Sequence, residues 1–310
     1  MSNRSRKPKR IIAAALTTLF LSHQTMLLSV VATEISGVNG SNGVYNITPS
    51  ALINGSDIGY RKYNNFNLDK GDVANLIYKY GATDISTFVN LVDNKINING
   101  LVNTVRDGNF YNGKAIFVSP NGMVVGASGV LNVGSLGVYT PSSQIYDNYK
   151  KNPTANMTAL TESNNGKPIT INGKVIAAND VTLSGGKVTV GKGGGIIAGV
   201  NESKMTTFGK GENAQADALF NQLVNTDNLN AANGFASSNG NIYITTNQTS
   251  ENAGVNISGE VKNFGTGNIE VRNIGTDGIN IAGNLSNSNG LVKLNNNNGD
   301  LNISGNVRNN

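Results

Sequence analysis

Cysteine and tryptophan are missing from this 310-residue chain, and it contains a single histidine, His23. Without cysteine the chain has no disulfide scaffold and no zinc or iron–sulfur site built on thiolates. Charged residues make up 14% of the chain and aromatic residues 6%, which is low for a globular protein and excludes a coiled coil and a polybasic tail. A disordered polar chain and a turn-rich β protein are the classes that remain.

Glycine and asparagine fill the composition instead, with 38 Gly and 52 Asn. Both residue types favour turns, because glycine has no Cβ and asparagine tolerates the left-handed backbone region. Such a chain is either disordered or built from short strands that recur so often that turn residues dominate.

The first 32 residues have the pattern of a secretory signal peptide. Basic residues between Arg4 and Arg10 precede an apolar run from Ile11 to Leu21, and Val30-Val31-Ala32 predicts cleavage between Ala32 and Thr33. A membrane anchor is the alternative, but a span needs about 20 apolar residues. We therefore predict export rather than anchoring.

Removal of this segment changes the charge of the protein. The five basic residues of the segment leave with it, so that the formal net charge falls from +5 to zero, and His23 leaves as well. No excess of positive charge remains that would indicate a nucleic-acid partner. Since the mature chain has neither histidine nor cysteine, we predict no cofactor and no metal site.

Three segments near the C-terminus resemble one another: Val255–Gly259, Ile279–Gly283 and Leu301–Gly305, which start 24 and 22 residues apart. Between them lie two further strand-like pieces, Ile269–Val271 and Val292–Leu294. Their alternation of apolar and polar residues predicts strands with one buried face. Units of this length cannot bury that face alone, so they must stack as a solenoid.

Similar pieces occur upstream, at Ile96–Gly100, Ile169–Gly173, Val181–Gly185 and Val188–Gly191. A disordered chain would not keep such a period, so we predict an all-β parallel β-helix. Asparagine side chains in its turns are expected to stack as ladders between successive coils.

Three segments depart from the repeat. Ala214–Asn225 places Leu219, Phe220, Leu223 and Val224 on one face of a short helix, an excursion over about residues 213–225. We expect this helix to cover part of the solenoid; binding a partner is its alternative role. Gln144–Asn165 is polar and is expected to be a surface loop. The strands around Ile35–Ile58 are expected to cap the N-terminal end.

The segment Ile98–Thr140 carries a family resemblance. On the residues alone, Pro120–Gly122 is a tight turn, in which proline sets φ and Asn-Gly supplies left-handed positions. Ser119–Met123 followed by Asn132–Leu136, together with Tyr63–Gly71, resembles the N-terminal secretion domain of filamentous haemagglutinin-like proteins, the exported partners of two-partner secretion systems. The resemblance covers about residues 34–240, although Ser119 stands where the family usually has asparagine.

The phrase FVNLVDNKININGLVN further resembles the leukotoxin-like filamentous adhesins of this group. The resemblance implies a right-handed β-helix that passes through the periplasm, is recognised in an extended state by an outer-membrane transporter, and folds at the cell surface or outside. It implies a signal peptide over residues 1–32, a secretion domain over 33–250 and the start of filament repeats over 251–310. The receptor of the filament is not implied.

The resemblance assigns transporter recognition or folding to ten residues: Ser119, Pro120, Asn121, Gly122, Met123, Asn132, Val133, Gly134, Ser135 and Leu136. For Pro120–Gly122 two interpretations stay open, a turn needed only for folding and direct contact with the transporter.

A polysaccharide-active enzyme, a lyase or hydrolase, is the alternative function, because β-helices also serve these activities. Such enzymes need clustered carboxylates, whereas the chain offers the close pair Asp69 and Asp72 beside Lys70, and the isolated Asp84 and Asp93. Glu270 shares a strand face with Arg272 in one repeat only. We therefore predict no enzymatic activity.

A calcium-binding solenoid would need a Gly-Gly-x-Gly-x-Asp nonapeptide, which Gly191–Gly199 lacks.

The last residues, Leu301–Asn310, open another repeat without a capping pattern, which predicts the front end of a longer filament. A frayed polar end is the alternative.

Overall fold

The computed structural model describes residues 32–161, 166–226, 234 and 240–309, and Thr33–Asn310 clusters as one compact unit. The predicted signal peptide before residue 32 lies outside the described residues. Within them the chain is mostly β, with 30 short strands, three α-helices and one 3₁₀ helix at Glu202–Lys204.

The first fifteen strands are β1 (Glu34–Ile35), β2 (Val44–Ile47), β3 (Ala51–Leu52), β4 (Ile58–Tyr63), β5 (Phe66–Leu68), β6 (Val73–Ile77), β7 (Lys79–Tyr80), β8 (Thr83–Asp84), β9 (Thr87–Val92), β10 (Ile96–Ile98), β11 (Leu101–Arg106), β12 (Asn109–Phe110), β13 (Lys114–Val118), β14 (Met123–Val125) and β15 (Val130–Val133).

The next fifteen are β16 (Ser135–Tyr139), β17 (Ile169–Ile171), β18 (Lys174–Ala177), β19 (Val181–Gly185), β20 (Val188–Val190), β21 (Gly195–Ala198), β22 (Ile242–Thr246), β23 (Gly254–Ile257), β24 (Glu260–Asn263), β25 (Ile269–Asn273), β26 (Gly278–Ile281), β27 (Asn284–Asn287), β28 (Val292–Asn296), β29 (Leu301–Ile303) and β30 (Asn306–Asn309).

Three long, mainly parallel sheets contain nearly all of these strands. Sheet A has the order β1-β5-β10-β14-β17-β20-β23-β26-β29, sheet B the order β2-β6-β11-β15-β18-β21-β24-β27-β30, and sheet C the order β28-β25-β22-β19-β16-β13-β9-β4-β3. β12 pairs with the edge of β11, and β7 pairs with β8 as a separate hairpin. This arrangement is compatible with the predicted all-β solenoid.

From β4 onward the chain visits the sheets in the repeated order C, A, B. We number each such round as a rung: β4–β6, β9–β11, β13–β15, β16–β18, β19–β21, β22–β24, β25–β27 and β28–β30 are rungs 1 to 8. Each strand pairs with its counterparts in the rungs before and after it. The backbone hydrogen bonds therefore connect neighbouring rungs, and they leave the sheet faces free for side-chain packing.

The repeats found in the sequence stack in register. Val255 pairs with Ile279 and Ile279 with Leu301 in sheet A, so the 24- and 22-residue spacings are the lengths of two successive rungs. Ile269 likewise pairs with Val292 in sheet C. Of the upstream pieces, three lie in sheet A with the C-terminal repeats, whereas Val181–Gly185 lies in sheet C.

One main core takes side chains from all three sheets, including Phe66 of sheet A, Phe117 of sheet C and Val102 of sheet B. Phe66 packs edge-on against Phe117 and against Tyr63, with 5.4 Å between ring centroids in each pair. We call the face of each sheet that points to this core its core side, and the opposite face its outer side.

The rungs differ in what their outer sides carry. In rungs 2 to 5 the strands of sheets B and C bury both sides at most positions, as in β15 and β16, where every residue is buried. The sheet A strands of these rungs bury their core side and leave the middle residue partly exposed. From rung 6 onward most strands alternate between buried and more exposed positions, as in β25, whereas β24 also buries Lys262 on its outer side. The boundary that the sequence predicts near residue 250, between secretion domain and filament, stays a prediction.

Helical excursions cover the outer sides of the early rungs. Helix α1 (Ser143–Lys151) and the short helix α2 (Thr158–Thr161) pack on sheet C, and helix α3 (Asn213–Asn225) packs on sheet B. The prediction of α3 over Ala214–Asn225, and of its covering role, is confirmed. Phe220 and Leu223 of its predicted face are buried, and Leu219 and Val224 are partly buried.

The surface-loop prediction for Gln144–Asn165 is wrong over the described residues, which end at 161 in this segment. Ser142 accepts a hydrogen bond from the backbone of Ile145 and so caps α1. Tyr146 and Tyr149, three residues apart, lie on one buried face against sheet C. Polar composition concealed this helix, because its apolar face consists mainly of tyrosines; residues 162–165 lie outside the described part.

The first strands of the chain lie at one end of the sheets, where the sequence predicts a cap. β1 and β3 run antiparallel to β5 and β4, whereas β2 pairs parallel to β6. At the opposite ends, Leu301 and Ile303 of β29 are 46% and 48% exposed, although their partners Ile279 and Ile281 are fully buried.

Within residues 32–161, 166–226 and 240–309, no helix combines the length and the apolar character that crossing a bilayer requires.

A substitution at Gly195 tests the packing of α3 on sheet B. A Cβ at this position would stand 2.3 Å from Cζ of Phe220, so Gly195→Ala should displace the helix. We expect a loss of about 1–3 kcal/mol in the free energy of unfolding, measured by urea denaturation. Gly193→Ala is the matched control, since no atom lies within 4 Å of its Cβ position. Equal stabilities of the two variants would contradict this packing.

Candidate functional site

The Pro-Asn-Gly turn connects β13 to β14 and is tied to the rung before it. Ser119 Oγ donates to the carbonyl of Asn94 at 2.8 Å, and it accepts the backbone N–H of Asn121 at 3.1 Å. Asn121 Nδ2 donates to the carbonyl of Asp93 at 2.7 Å. These bonds join the turn of rung 3 to the corresponding turn of rung 2.

Gly122 alone of the turn residues is left-handed, with φ of +89°. The sequence assigned this region to Asn121 as well; that part is wrong, since Asn121 uses its side chain as a hydrogen-bond donor instead. A Cβ on Gly122 would stand 2.5 Å from the carbonyl oxygen of Pro168, which belongs to the next rung. Two constraints, backbone conformation and close approach, therefore require glycine here.

The second part of the motif lies in β15 and at the start of β16. Val133 and Leu136 belong to the main core, and a Cβ on Gly134 would stand 2.3 Å from the backbone of Asn112. Ser135 donates its backbone N–H to the carbonyl of Gly113 at 3.0 Å. Asn132 is fully buried on the outer side of sheet B.

Nine of the ten predicted site residues are therefore buried, and Asn121 is the exposed one. The two parts of the motif occupy consecutive strands of rungs 3 and 4, with Met123 in the core between rungs 2 and 4. In the folded protein the motif offers a partner one amide side chain, and its other members hold the rungs together.

A charged cluster lies beside the turn. The Asp93 carboxylate accepts the Tyr146 hydroxyl at 2.9 Å and the Lys150 ammonium, so it anchors α1 to the turn of rung 2. Burial raises the pKa of the Tyr146 phenol well above its ordinary value, and the hydrogen bond and negative charge of Asp93 add to this rise. Tyr146 therefore acts as a neutral donor at physiological pH.

The predicted cleavage position lies at the beginning of the described chain. Ala32 is exposed, and Thr33 is partly buried. Thr33 Oγ1 donates to Asp72 at 2.6 Å and accepts the backbone N–H of Asp69 at 2.8 Å. The residue that would become the mature N-terminus is thus attached to rung 1.

A column of asparagines runs along the outer side of sheet B. Asn46, Asn75, Asn103 and Asn132 occupy the same register position in four successive strands. The Nδ2 group of each later asparagine donates to Oδ1 of the one before it, at 2.9–3.0 Å. We call these four residues the amide column.

The chain segment between β21 and α3 returns across this column, and we call residues 201–212 the strap. Asn103 Nδ2 donates to the carbonyl of Phe208 at 2.9 Å, and Oδ1 of the same side chain accepts the Phe208 N–H at 3.2 Å. Asn132 Nδ2 donates to the carbonyl of Thr206 at 2.7 Å. Met205 and Phe208 fill the adjoining apolar surface.

The remaining outer positions of sheet B fit α3. Beyond Asn132 the column continues with Ile176 and Ile197, which pack against the helix, and then Lys262, whose ammonium donates to carbonyls at the helix C-terminus. The charge of Lys262 is stabilising at this place because it meets the negative end of the helix dipole. Lys174, two residues before Ile176 in β18, also contacts the helix, through an ion pair with Asp217 at 2.8 Å.

Sequence reasoning identified Asn132 through the motif and missed the rest of the amide column. A signal was present: Val-Tyr-Asn, Val-Ala-Asn, Leu-Val-Asn and Val-Leu-Asn end at residues 46, 75, 103 and 132. A buried strand that carries asparagine at one repeated position predicts a side-chain ladder. The predicted stacking of asparagines in turns is confirmed by Asn94 on Asn65 and by Asn179 on Asn112, with Nδ2–Oδ1 distances of 2.7 Å in both pairs.

The carboxylates considered for an enzyme have structural partners. Asp69 Oδ1 accepts the Lys70 N–H, Asp72 binds Thr33, and Asp93 anchors α1. Asp84 stands 3.8 Å from Arg106. In the described ranges, no three histidine, aspartate or glutamate side chains come together in a way that could hold a metal ion.

A polar cleft of about 470 Å³ lies between the end of α3 and the last strands of sheet B. Glu260, Lys262, Asn284 and Arg308 line it. Burial raises the pKa of Glu260, opposed by the hydrogen bond from Asn284 and the charge of Lys262. Glu260 is the single carboxylate of this cleft within the described residues. Glu270, the candidate from the sequence, lies outside it on sheet C, where Lys293 is its register partner.

No family model matches the chain when it is compared with known protein families, and neither a curated protein nor a solved structure matches it.

Gly122 and Gly71 form a matched pair for testing the turn. Both have strongly left-handed φ, at +89° and +87°, but no atom lies within 4 Å of a Cβ on Gly71. Gly71→Ala should cost about 1–2 kcal/mol of backbone strain, whereas Gly122→Ala adds the overlap with Pro168. We expect a lower urea midpoint for Gly122→Ala; equal midpoints would show that the close approach to Pro168 does not constrain the turn.

Proposed function

We propose that this protein is an exported, adhesin-like filamentous protein whose N-terminal domain directs two-partner secretion through an outer-membrane transporter. The observation that carries the proposal is a signal-peptide pattern directly ahead of a chain of stacked parallel strands that lacks cysteine and histidine. The cell surface or the extracellular medium is the destination. The transporter is the proposed partner, and nucleic acid is not.

We also propose that the three sheets form the faces of a right-handed parallel β-helix with an N-terminal cap. The repeated order C, A, B and the core shared by all three sheets support it. Right-handedness follows the family resemblance and the general preference of parallel crossover connections.

Stacked rungs suit a chain that crosses a membrane unfolded. The strands pair with neighbouring rungs, so the fold can grow one rung at a time from the N-terminal end. The chain has no disulfide to reduce or rearrange before threading. Each added rung buries apolar side chains against the preceding rung, and this burial opposes return of the chain through the transporter.

Burial of the motif favours recognition before folding. The side chains of Met123, Val133 and Leu136 are inaccessible in the folded domain, so a transporter would contact them only in an extended chain. Asn121 is the member that a transporter could contact in both states. The turn would then serve twice, first as an extended recognition segment and later as a joint between rungs.

Deletion of Ser119–Met123 tests this function. In cells that produce the matching transporter, we expect the deletion to abolish export while synthesis is unchanged, measured by immunoblots of cells and medium. Gly195→Ala is the control, because it should destabilise the folded domain and leaves the motif intact. Export of the control with loss of the deletion variant supports recognition of the unfolded motif.

Normal amounts of the deletion variant outside the cell would contradict the proposal. Equal loss of both variants would assign the motif to folding alone.

The polysaccharide-active enzyme is kept as a second candidate because Glu260, with its raised pKa, lies in a polar cleft beside Lys262 and Arg308. Hydrolysis of glycosides generally uses two carboxylates, and this cleft presents one among the described residues. Incubation with a panel of acidic glycans discriminates the two functions. Cleavage that Glu260→Gln removes would establish the enzyme and overturn the non-enzymatic proposal.

A further inference from the structure

The contact between the strap and the amide column is peptide recognition within one chain. The Asn103 side chain binds both backbone groups of Phe208: it donates to the carbonyl and accepts the N–H, as a neighbouring β-strand would. Asn132 holds the carbonyl of Thr206 two residues earlier. Spacing of two residues matches an extended segment, whose alternate residues face the same way.

The apolar surface next to the column fixes the side chains of that segment. Val73, Leu101 and Val130 form a row parallel to the amide column, two residues earlier in each strand and therefore on the same side of sheet B. Met205 and Phe208 belong to the same hydrophobic cluster as this row and are 8% and 5% exposed. Backbone atoms are thus bound by amides, and large apolar side chains by the row, which is the division of roles in strand-type peptide recognition.

The strap is an imperfect occupant of this groove. Oδ1 of Asn132 is buried and has no hydrogen-bond donor in the described part of the chain. Oδ1 of Asn103 accepts both the Asn132 Nδ2 group and the Phe208 N–H. Ile176 follows Asn132 in the column and has no side-chain donor, so Oδ1 of Asn132 is open to an N–H of a better-fitting segment. A buried acceptor without a partner costs about 1–3 kcal/mol, which weakens the resident strap.

The strap is attached to sheet B by side-chain contacts rather than by strand pairing. It contains no strand that pairs with a sheet. At one end the Gly211 N–H donates to the carbonyl of Gly71, and at the other the Glu202 carboxylate accepts a hydrogen bond from Asn112 Nδ2. Clefts of about 430 Å³ and 490 Å³ flank it, on the side of Asn75 and on the side of Tyr111. A segment that lies outside the hydrogen-bonded sheets can open locally at a lower free energy than the strands around it.

We propose that the amide column and its apolar row are an extended-peptide-binding site, and that the strap is its exchangeable resident ligand. When the strap leaves, the groove binds in trans an extended polypeptide segment that carries a large apolar residue between small polar ones. Residues 205–208 of this chain, Met-Thr-Thr-Phe, set the chemistry of that segment. The site lies in the folded domain and does not depend on the proposed route of export.

The experiment uses the purified protein with Phe208→Ser, which removes the main anchor of the strap. The probe is a fluorescein-labelled peptide with the sequence of residues 203–211, SKMTTFGKG, followed by fluorescence anisotropy. We expect the variant to bind the peptide at least about tenfold more tightly than the unchanged protein, whose groove is occupied. Thr206→Ala is the matched control, since its side chain is exposed and its carbonyl is retained.

Two further measurements decide the site of binding. A peptide with alanine in place of phenylalanine, and a protein with Asn103→Ala in the Phe208→Ser background, should each lose the gain. Hydrogen exchange of the residue 208 amide should accelerate in Phe208→Ser while the amides of β11 and β15 stay protected. If Phe208→Ser unfolds the domain by circular dichroism, Phe208→Ala replaces it.

The proposal is overturned if the strap is released, as judged by hydrogen exchange, and the peptide still fails to bind. It is also overturned if Asn103→Ala leaves peptide binding unchanged, or if the residue 208 amide remains as protected as the strands.

Discussion

Register between neighbouring rungs is the constraint on which the rest of this structure depends. Because parallel strands pair residue by residue, each position of a rung stands directly over its counterpart in the rung before it, as Ile279 stands between Val255 and Leu301. Every column must therefore carry side chains that tolerate one another. Apolar columns build the core, and amide columns satisfy one another by hydrogen bonds. A slip by one residue would exchange core and outer sides throughout the rung.

The same constraint explains how the outer sides acquire their specific contacts. On sheet B, one column changes from asparagine in rungs 1 to 3, to isoleucine at positions 176 and 197, and then to Lys262. The strap lies on the asparagines, α3 lies on the isoleucines, and the lysine binds the helix end. Among the described residues, outer positions of rung 7 such as Arg272 and Asn284 are exposed. The difference separates the early rungs from a plainer repeat.

Under the proposed function, one set of residues in the motif would serve two states of the chain. Gly122 is required by its left-handed backbone and by the nearby carbonyl of Pro168, and Asn132 is required by the amide column and the strap. These needs belong to the folded domain. An extended chain would present the same residues as a linear pattern, so a transporter and the fold would place separate demands on them.

The sequence by itself determined the class and the period of the fold, because alternation and repeat length follow from local chemistry: the spacings of 24 and 22 residues and helix α3 could both be read from it. It also supplied the ten motif residues and the export pattern. Only the tertiary structure decided the rest. Helix α1 was not predicted because its buried face consists of tyrosines within a polar segment, which is a pattern typical of a loop. The strap was not predicted because its contact with Asn103 joins residues 105 positions apart in the chain. Such contacts depend on which rungs the chain returns to, and no local pattern records that choice.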